Sequence, residues 1–161
     1  MHQKGESMYK CKYFKISELV APALVKALPE NTLWALFDER LLRMADAIRE
    51  KYGPMTINTP DLTDCGLRDP QSKTGAKYSM HKIGRALDGH IVAIERAAAK
   101  ITDATARKKY KIAEYNRVRA ELMADPAFDC LCFEQNSKEC PNGINWLHFD
   151  TGNRANRLFN A

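Results

Sequence analysis

The sequence predicts an α+β fold, a small and mostly antiparallel sheet flanked by helices. Two apolar stripes have helical spacing: Leu33, Leu36, Phe37, Leu41, Met44 and Ile48, then Ile112, Tyr115, Val118 and Leu122. Short apolar or alternating runs read as strands: MTINT (55–59), RALDGHIV (85–92), FDCLCFE (128–134) and NWLHFD (145–150). Their order, helix, strand, loop, strand, helix, strand, strand, suits helices packed on one small sheet.

Residues 1–12 are expected to form a loose N-terminus, and 13–161 a single domain. Tyr13 to Val20 (YFKISELV) reads as a short docking segment, and Pro22 and Pro29 frame another. Asn31 or Thr32 offers a cap for the first long helix. That helix is expected to stop at Tyr52-Gly53-Pro54, where Gly supplies a left-handed cap and Pro forbids continuation. Residues 60–80 are rich in Pro, Asp, Thr, Gly and Ser, and a loop that long in a compact domain is usually functional or disordered. The second helical region reaches Met123 and is broken by Asp125-Pro126. A polar insert, QNSKECPNGI, separates the last two strands, and no internal repeat is present.

The composition fits such a domain. With 161 residues, 45% hydrophobic and 28% charged, the chain is long enough to bury a sizeable core and too apolar to be disordered. No apolar run approaches the roughly 20 residues of a membrane-spanning helix. The N-terminus, MHQKGESMYKCKYFK, lacks a signal-peptide segment, so synthesis in the cytoplasm is expected. A net charge of +5 suits an acidic partner. The densest basic stretch, Arg107-Lys108-Lys109, reads as a solvated helix face; without aromatic–basic interleaving, no nucleic-acid partner is expected. Five cysteines, an odd number, argue for reduced thiols. Cys130, Cys132, Cys140 and His148 have the wrong spacing for a zinc knuckle, because Cys130 and Cys132 would share one face of an alternating strand with no turn between them.

Two segments carry the residues of a metal site. In Ser79-Met80-His81-Lys82-Ile83-Gly84-Arg85-Ala86-Leu87-Asp88, an imidazole and a carboxylate stand seven residues apart. On a helix that is roughly 10 Å, too far to share an ion, whereas a tight turn at Gly84 leading into a strand brings them together. In Trp146-Leu147-His148, strand alternation sets Trp146 and His148 on one face. Two His and one carboxylate leave a fourth position for water, as catalytic zinc requires.

These strings resemble a known family. SMHKIGRALD is similar to the S-x-H-x-x-G-R-A-x-D signature of the zinc D-Ala-D-Ala carboxypeptidase and hedgehog superfamily, and NWLHFD to its W-x-H or H-x-H terminal strand. YFKISELV, IREKYGPMTINT, CGLRD and FDCLCFEQ resemble further family segments in the same order, covering most of residues 13–157. The short, signal-less phage and prophage members are the most similar. The resemblance implies a hedgehog/D,D-peptidase-like fold, zinc held by His81, Asp88 and His148, and hydrolysis of an amide bond in peptidoglycan stem peptides by a monomer acting on the cell wall after release or within a virion. It further implies Glu134 as general base and acid, Arg68 as the group steadying a substrate carbonyl or carboxylate, and Ser79 and Trp146 as residues lining or supporting the site.

The chain departs from the family at two places. Asn145 stands where the E-x-x-H branch has its acid, so the base is expected to be Glu134, with Asp150 the nearest alternative to His148 in sequence. Cys65 replaces a small Ser before Gly66-Leu67-Arg68. His90 fits no ligand position and is read as structural. The rival reading is a zinc-bound but catalytically silent binding or structural module of the same fold.

Overall fold

The structure, a computed structural model, describes residues 8–160. Its helices are α1 (Pro22–Ala27), α2 (Glu30–Ala35), α3 (Glu39–Tyr52), α4 (Val92–Ala99) and α5 (Ala104–Ala124). Its strands are β1 (Met55–Thr56), β2 (Ala86–Ile91), β3 (Cys132–Asn136), β4 (Leu147–Asp150) and β5 (Leu158–Asn160), joined in one sheet of order β1-β2-β4-β3-β5. The sheet is mixed: β3 and β5 run parallel, and the other neighbours are antiparallel. The α+β class follows directly from this arrangement. Among the described residues, no helix is long and apolar enough to cross a membrane.

The first apolar stripe does not form one helix. Helix α2 starts after Pro29, so neither Asn31 nor Thr32 caps it, and it ends at Ala35. Leu36 is left 42% exposed at the break. The cause is Asp38, whose carboxylate accepts from the Arg40 amide at 3.0 Å and caps α3, while its own N–H donates to the Gly84 carbonyl at 3.0 Å. Helix α3 then ends where expected, and Gly53 returns its N–H to the Arg49 carbonyl, but with φ 84° and ψ −165° it is not the left-handed helical cap.

Other boundaries also differ. Only Met55 and Thr56 of MTINT pair as strand, although Ile57 is fully buried. Cys130 lies in the turn after the short helical turn Pro126–Phe128, outside β3, so it does not share a strand face with Cys132. Strand β5 has no counterpart among the expected strands: three residues at a sheet edge carry too short a pattern to read. Of the terminus expected to be loose, residues 1–7 lie outside the described residues. Residues 8–12 run against α3, where the buried Asp46 carboxylate accepts from the Tyr9 hydroxyl at 2.8 Å and the Lys12 amide at 2.6 Å.

The pleat sorts the sheet into two faces. Leu87, Leu147, Phe149 and Phe133 are fully buried in the same core as Leu41, Ile48, Tyr115, Val118 and Leu122 of α3 and α5. The alternate residues of β2 and β4 carry Asp88, His148 and Asp150, and the register sets Asp88 directly opposite His148. One face of the sheet is thus the core wall and the other presents a polar cluster.

Candidate metal centre

His81 is delivered by a single turn of 3-10 helix, Met80–Ile83. Ser79 starts that turn by accepting from the His81 amide at 3.3 Å. Gly84 ends it in the left-handed conformation, φ 67°, where a Cβ would collide with the Leu36 carbonyl oxygen. The chain then enters β2 and reaches Asp88, so the tight turn expected at Gly84 is present. The His81 ring is 3% exposed, and its Nδ1 lies 3.0 Å from the Gly66 carbonyl oxygen. A carbonyl only accepts, so Nδ1 carries a proton and Nε2 is the nitrogen turned towards Asp88. That Nε2 is buried without a hydrogen-bond partner, 3.3 Å from Asp88 Oδ2.

His148 completes the group. Its Nδ1 is 2.8 Å from Asp88 Oδ1, and its Nε2 is 3.1 Å from Asp150 Oδ2. Donor atoms of His81, Asp88 and His148 all lie within 4.8 Å of one another, and all three residues are buried. This group could hold a metal ion. The orphaned Nε2 supplies the test of fit: a buried nitrogen facing a carboxylate and a second imidazole is a position that a bound cation would satisfy. Asp150 stands behind His148 and accepts from its outer nitrogen, the usual way a ligating imidazole is oriented. Without an ion, a proton takes that role. Burial opposes charge on Asp88, yet the neighbouring His81 and His148 hold its carboxyl well below the usual range. Burial likewise opposes charge on His148, but hydrogen bonds to Asp150 and Asp88 push it up to about 9.

The remaining expected residues surround this group unequally. Glu134 Oε2 is 3.9 Å from His148 Nδ1, on the side facing Asp88. Burial raises its pKa above the ordinary carboxylate value and Asp88 adds to the effect, against the opposing pull of His148, Arg119 and Arg154. Arg68 is 8% exposed and reaches Asp88 Oδ2 at 3.4 Å. Its Nε also donates to the Asp64 carbonyl at 2.6 Å and its Nη1 to the Thr74 carbonyl at 3.4 Å. Ser79 acts through the turn it caps. Trp146 stands one residue before β4, half-buried, and its carbonyl accepts from Arg119. His90, outside the group, faces Glu95 at 3.5 Å. The five cysteines are free thiols, and none belongs to the cluster.

Asp150 is the main correction. It is fully buried against the outer nitrogen of His148, and its other oxygen accepts from the Gly152 amide at 2.8 Å. That location makes it an orienting partner and not an alternative base. The signal for it was available, because strand alternation sets Asp150 on the same face as His148, whereas Trp146 lies outside β4 and the expected alternation does not reach it. Phe159 and Arg154 also border the centre: the Phe159 ring packs edge-on against His148 with centroids 6.0 Å apart. Phe159 reaches the site through the parallel pairing of β5 with β3, which no local pattern marks, and Arg154 through the segment after β4, four residues beyond Asp150. No family model, curated protein or solved structure matches the chain.

Proposed function

We propose that the protein is a zinc metallopeptidase of the D-Ala-D-Ala carboxypeptidase and hedgehog type, hydrolysing an amide bond in peptidoglycan stem peptides. The observation that carries the reading is the buried His81–Asp88–His148 group with the Glu134 carboxylate 3.9 Å from one of its imidazoles. Two imidazoles and one carboxylate form a donor set suited to zinc with an open position. The sequence resemblance adds the fold family and the substrate. The positive net charge favours approach to an anionic wall.

Zinc held there by His81 Nε2, Asp88 and His148 Nδ1 supplies Lewis acidity, polarising a scissile carbonyl and making a water more acidic. The protein's own groups do the rest. Glu134 is the carboxylate placed to take a proton at Oε2 and return it to the leaving amine, and its partial burial keeps its basicity above that of an exposed carboxylate. Asp150 holds His148 in one tautomer. Arg68 fixes Asp88 from the other side, its charge lying next to the anionic ligand.

Metal analysis of protein purified without chelator, followed by digestion of purified peptidoglycan and mass spectrometry of the fragments, tests the proposal. About one zinc per chain and new amine termini in the stem peptides are expected. Bound zinc with intact stem peptides would replace the enzyme reading by the silent module.

A further inference from the structure

The segment after β4 brings a second guanidinium to the rim of the centre. Arg154 lies with Cζ 3.9 Å from the Phe159 ring centroid, and that ring packs on His148. Its Nη2 donates to Asp150 Oδ2 at 3.3 Å, its one hydrogen bond among the described residues, and its side chain is 35% exposed. Gly152 permits the approach, because a Cβ there would lie 2.7 Å from Asp150 Oδ1 and 3.5 Å from Arg154 Nε.

Arg68 presents the opposite case. Its side chain is 10% exposed, and each of its three nitrogens already donates, to Asp64, Thr74 and Asp88. Gly75, at φ 74°, closes over it so tightly that a Cβ would sit 2.5 Å from Nη1. Binding a carboxylate bidentately needs two parallel N–H groups on one edge of the fork. Three of the five N–H groups of Arg68 are engaged, and the two that remain are enclosed with a side chain only 10% exposed under Gly75. Arg154 keeps most of its donors, is oriented by a ring that cannot compete for them, and shares its one carboxylate with His148.

We propose that Arg154 is the substrate-binding residue that recognises a free carboxylate next to the scissile amide, so that the site selects peptides ending in an acid at that position. The inference rests on the peptidase reading above and moves carboxylate recognition from the 60–80 loop to the C-terminal segment. Phe159 is its positioning partner: the ring that packs on His148 also packs against the guanidinium and lowers the entropy lost on binding.

The test compares two stem-type peptides of one sequence, ending in a free acid or an amide, on the zinc-loaded protein. The wild type should favour the acid, chiefly through KM, by about 10- to 100-fold, the scale of a hydrogen-bonded charge pair. Arg154→Gln should abolish that preference, read as the acid-to-amide ratio of kcat/KM on protein of measured zinc content, and Arg154→Lys should restore part of it. Calorimetric binding of the acid peptide to Glu134→Gln, and its loss in the Arg154→Gln double variant, reads recognition without turnover. If both peptides are cleaved and Arg154→Gln keeps the wild-type preference, or the wild type has none, the carboxylate assignment is overturned and the peptidase reading stands. Acid binding that depends on Arg154 without cleavage of any peptide supports the assignment and overturns the peptidase reading. Absence of acid binding overturns the assignment.

Discussion

Two carboxylates flank His148, and their surroundings give them different work. Glu134 is half-buried on the Asp88 side and its pKa is raised, so it retains proton affinity. Asp150 is fully buried behind the ring and its pKa is lowered: burial works against the charge, but the His148 hydrogen bond, the Gly152 amide and Arg154 outweigh it. A group that must cycle a proton belongs in the first environment, and one that must stay anionic in the second. Glu134→Gln should therefore keep the fold and the metal while turnover falls about 100-fold or more, the usual scale for removing a general acid–base group. Wild-type rates in that variant would refute the assignment. Asp150→Asn should show the reverse pattern. The amide cannot accept the His148 proton as a carboxylate does, so metal affinity should fall about 10- to 100-fold, measured by competition with a chromophoric chelator. An unchanged affinity would reduce Asp150 to a loop anchor.

At the level of elements, legibility followed how local each signal was. The turn that carries His81 needs only Ser79 to start it and Gly84 to end it, and both are visible in the sequence. The pairing of Asp88 with His148 needs only strand alternation once β2 and β4 are recognised. The break at Leu36 was hidden because its cause, the bond from the Asp38 amide to the Gly84 carbonyl, joins residues far apart in sequence. Strand β5 was hidden for the same reason: Leu158–Asn160 has no alternation of its own and exists through β3. Helices α4 and α5 show such a tie with a measurable consequence. Glu95 accepts from the Tyr115 hydroxyl at 2.8 Å and pairs with Lys111 at 2.8 Å and His90 at 3.5 Å. Burial works against its charge, but these partners lower its pKa to about 2. A carboxylate whose folded pKa is depressed stabilises the fold above its unfolded value near 4.5, and that contribution fades as pH falls towards about 2. Glu95→Gln should then cost about 1–2 kcal/mol at pH 7, allowing for the screening of a partly exposed group, with the gap to wild type closing below about pH 4.5. Urea unfolding at pH 7 and pH 3.5 measures it. A gap that stays constant would mean that packing, and not charge, holds the two helices.

For the whole molecule, the candidate metal centre gathers side chains from separate stretches of the chain that the sheet packs together. His81 comes from the turn below the 60–80 loop, Asp88 from a central strand, His148 from its neighbour, and the Phe159 beside them from the sheet edge. Folding buries His81, Asp88 and His148 together with Asp150, and sets the charges of Asp88, His148 and Asp150 around one nitrogen, His81 Nε2, that lacks a hydrogen-bond partner. The unfolded chain has no such site, so the free energy of metal binding adds almost entirely to the stability of the folded state. At free zinc about a thousandfold above the dissociation constant the gain is about 4 kcal/mol. In a chain of this length each kcal/mol moves the midpoint by about 2–4 °C, so stripping the metal should lower Tm by about 8–16 °C. Calorimetry of the protein with and without chelator measures the shift, and adding zinc back should reverse it. His81→Ala gives the control that identifies the ligands, since its Tm should be lower and no longer respond to chelator. If the variant still responds, the ion sits elsewhere, with Cys130, Cys132 and Cys140 the next donors to replace. If wild-type Tm stays fixed while its metal content falls to zero, the cluster is held by its own proton and the metal assignment is lost.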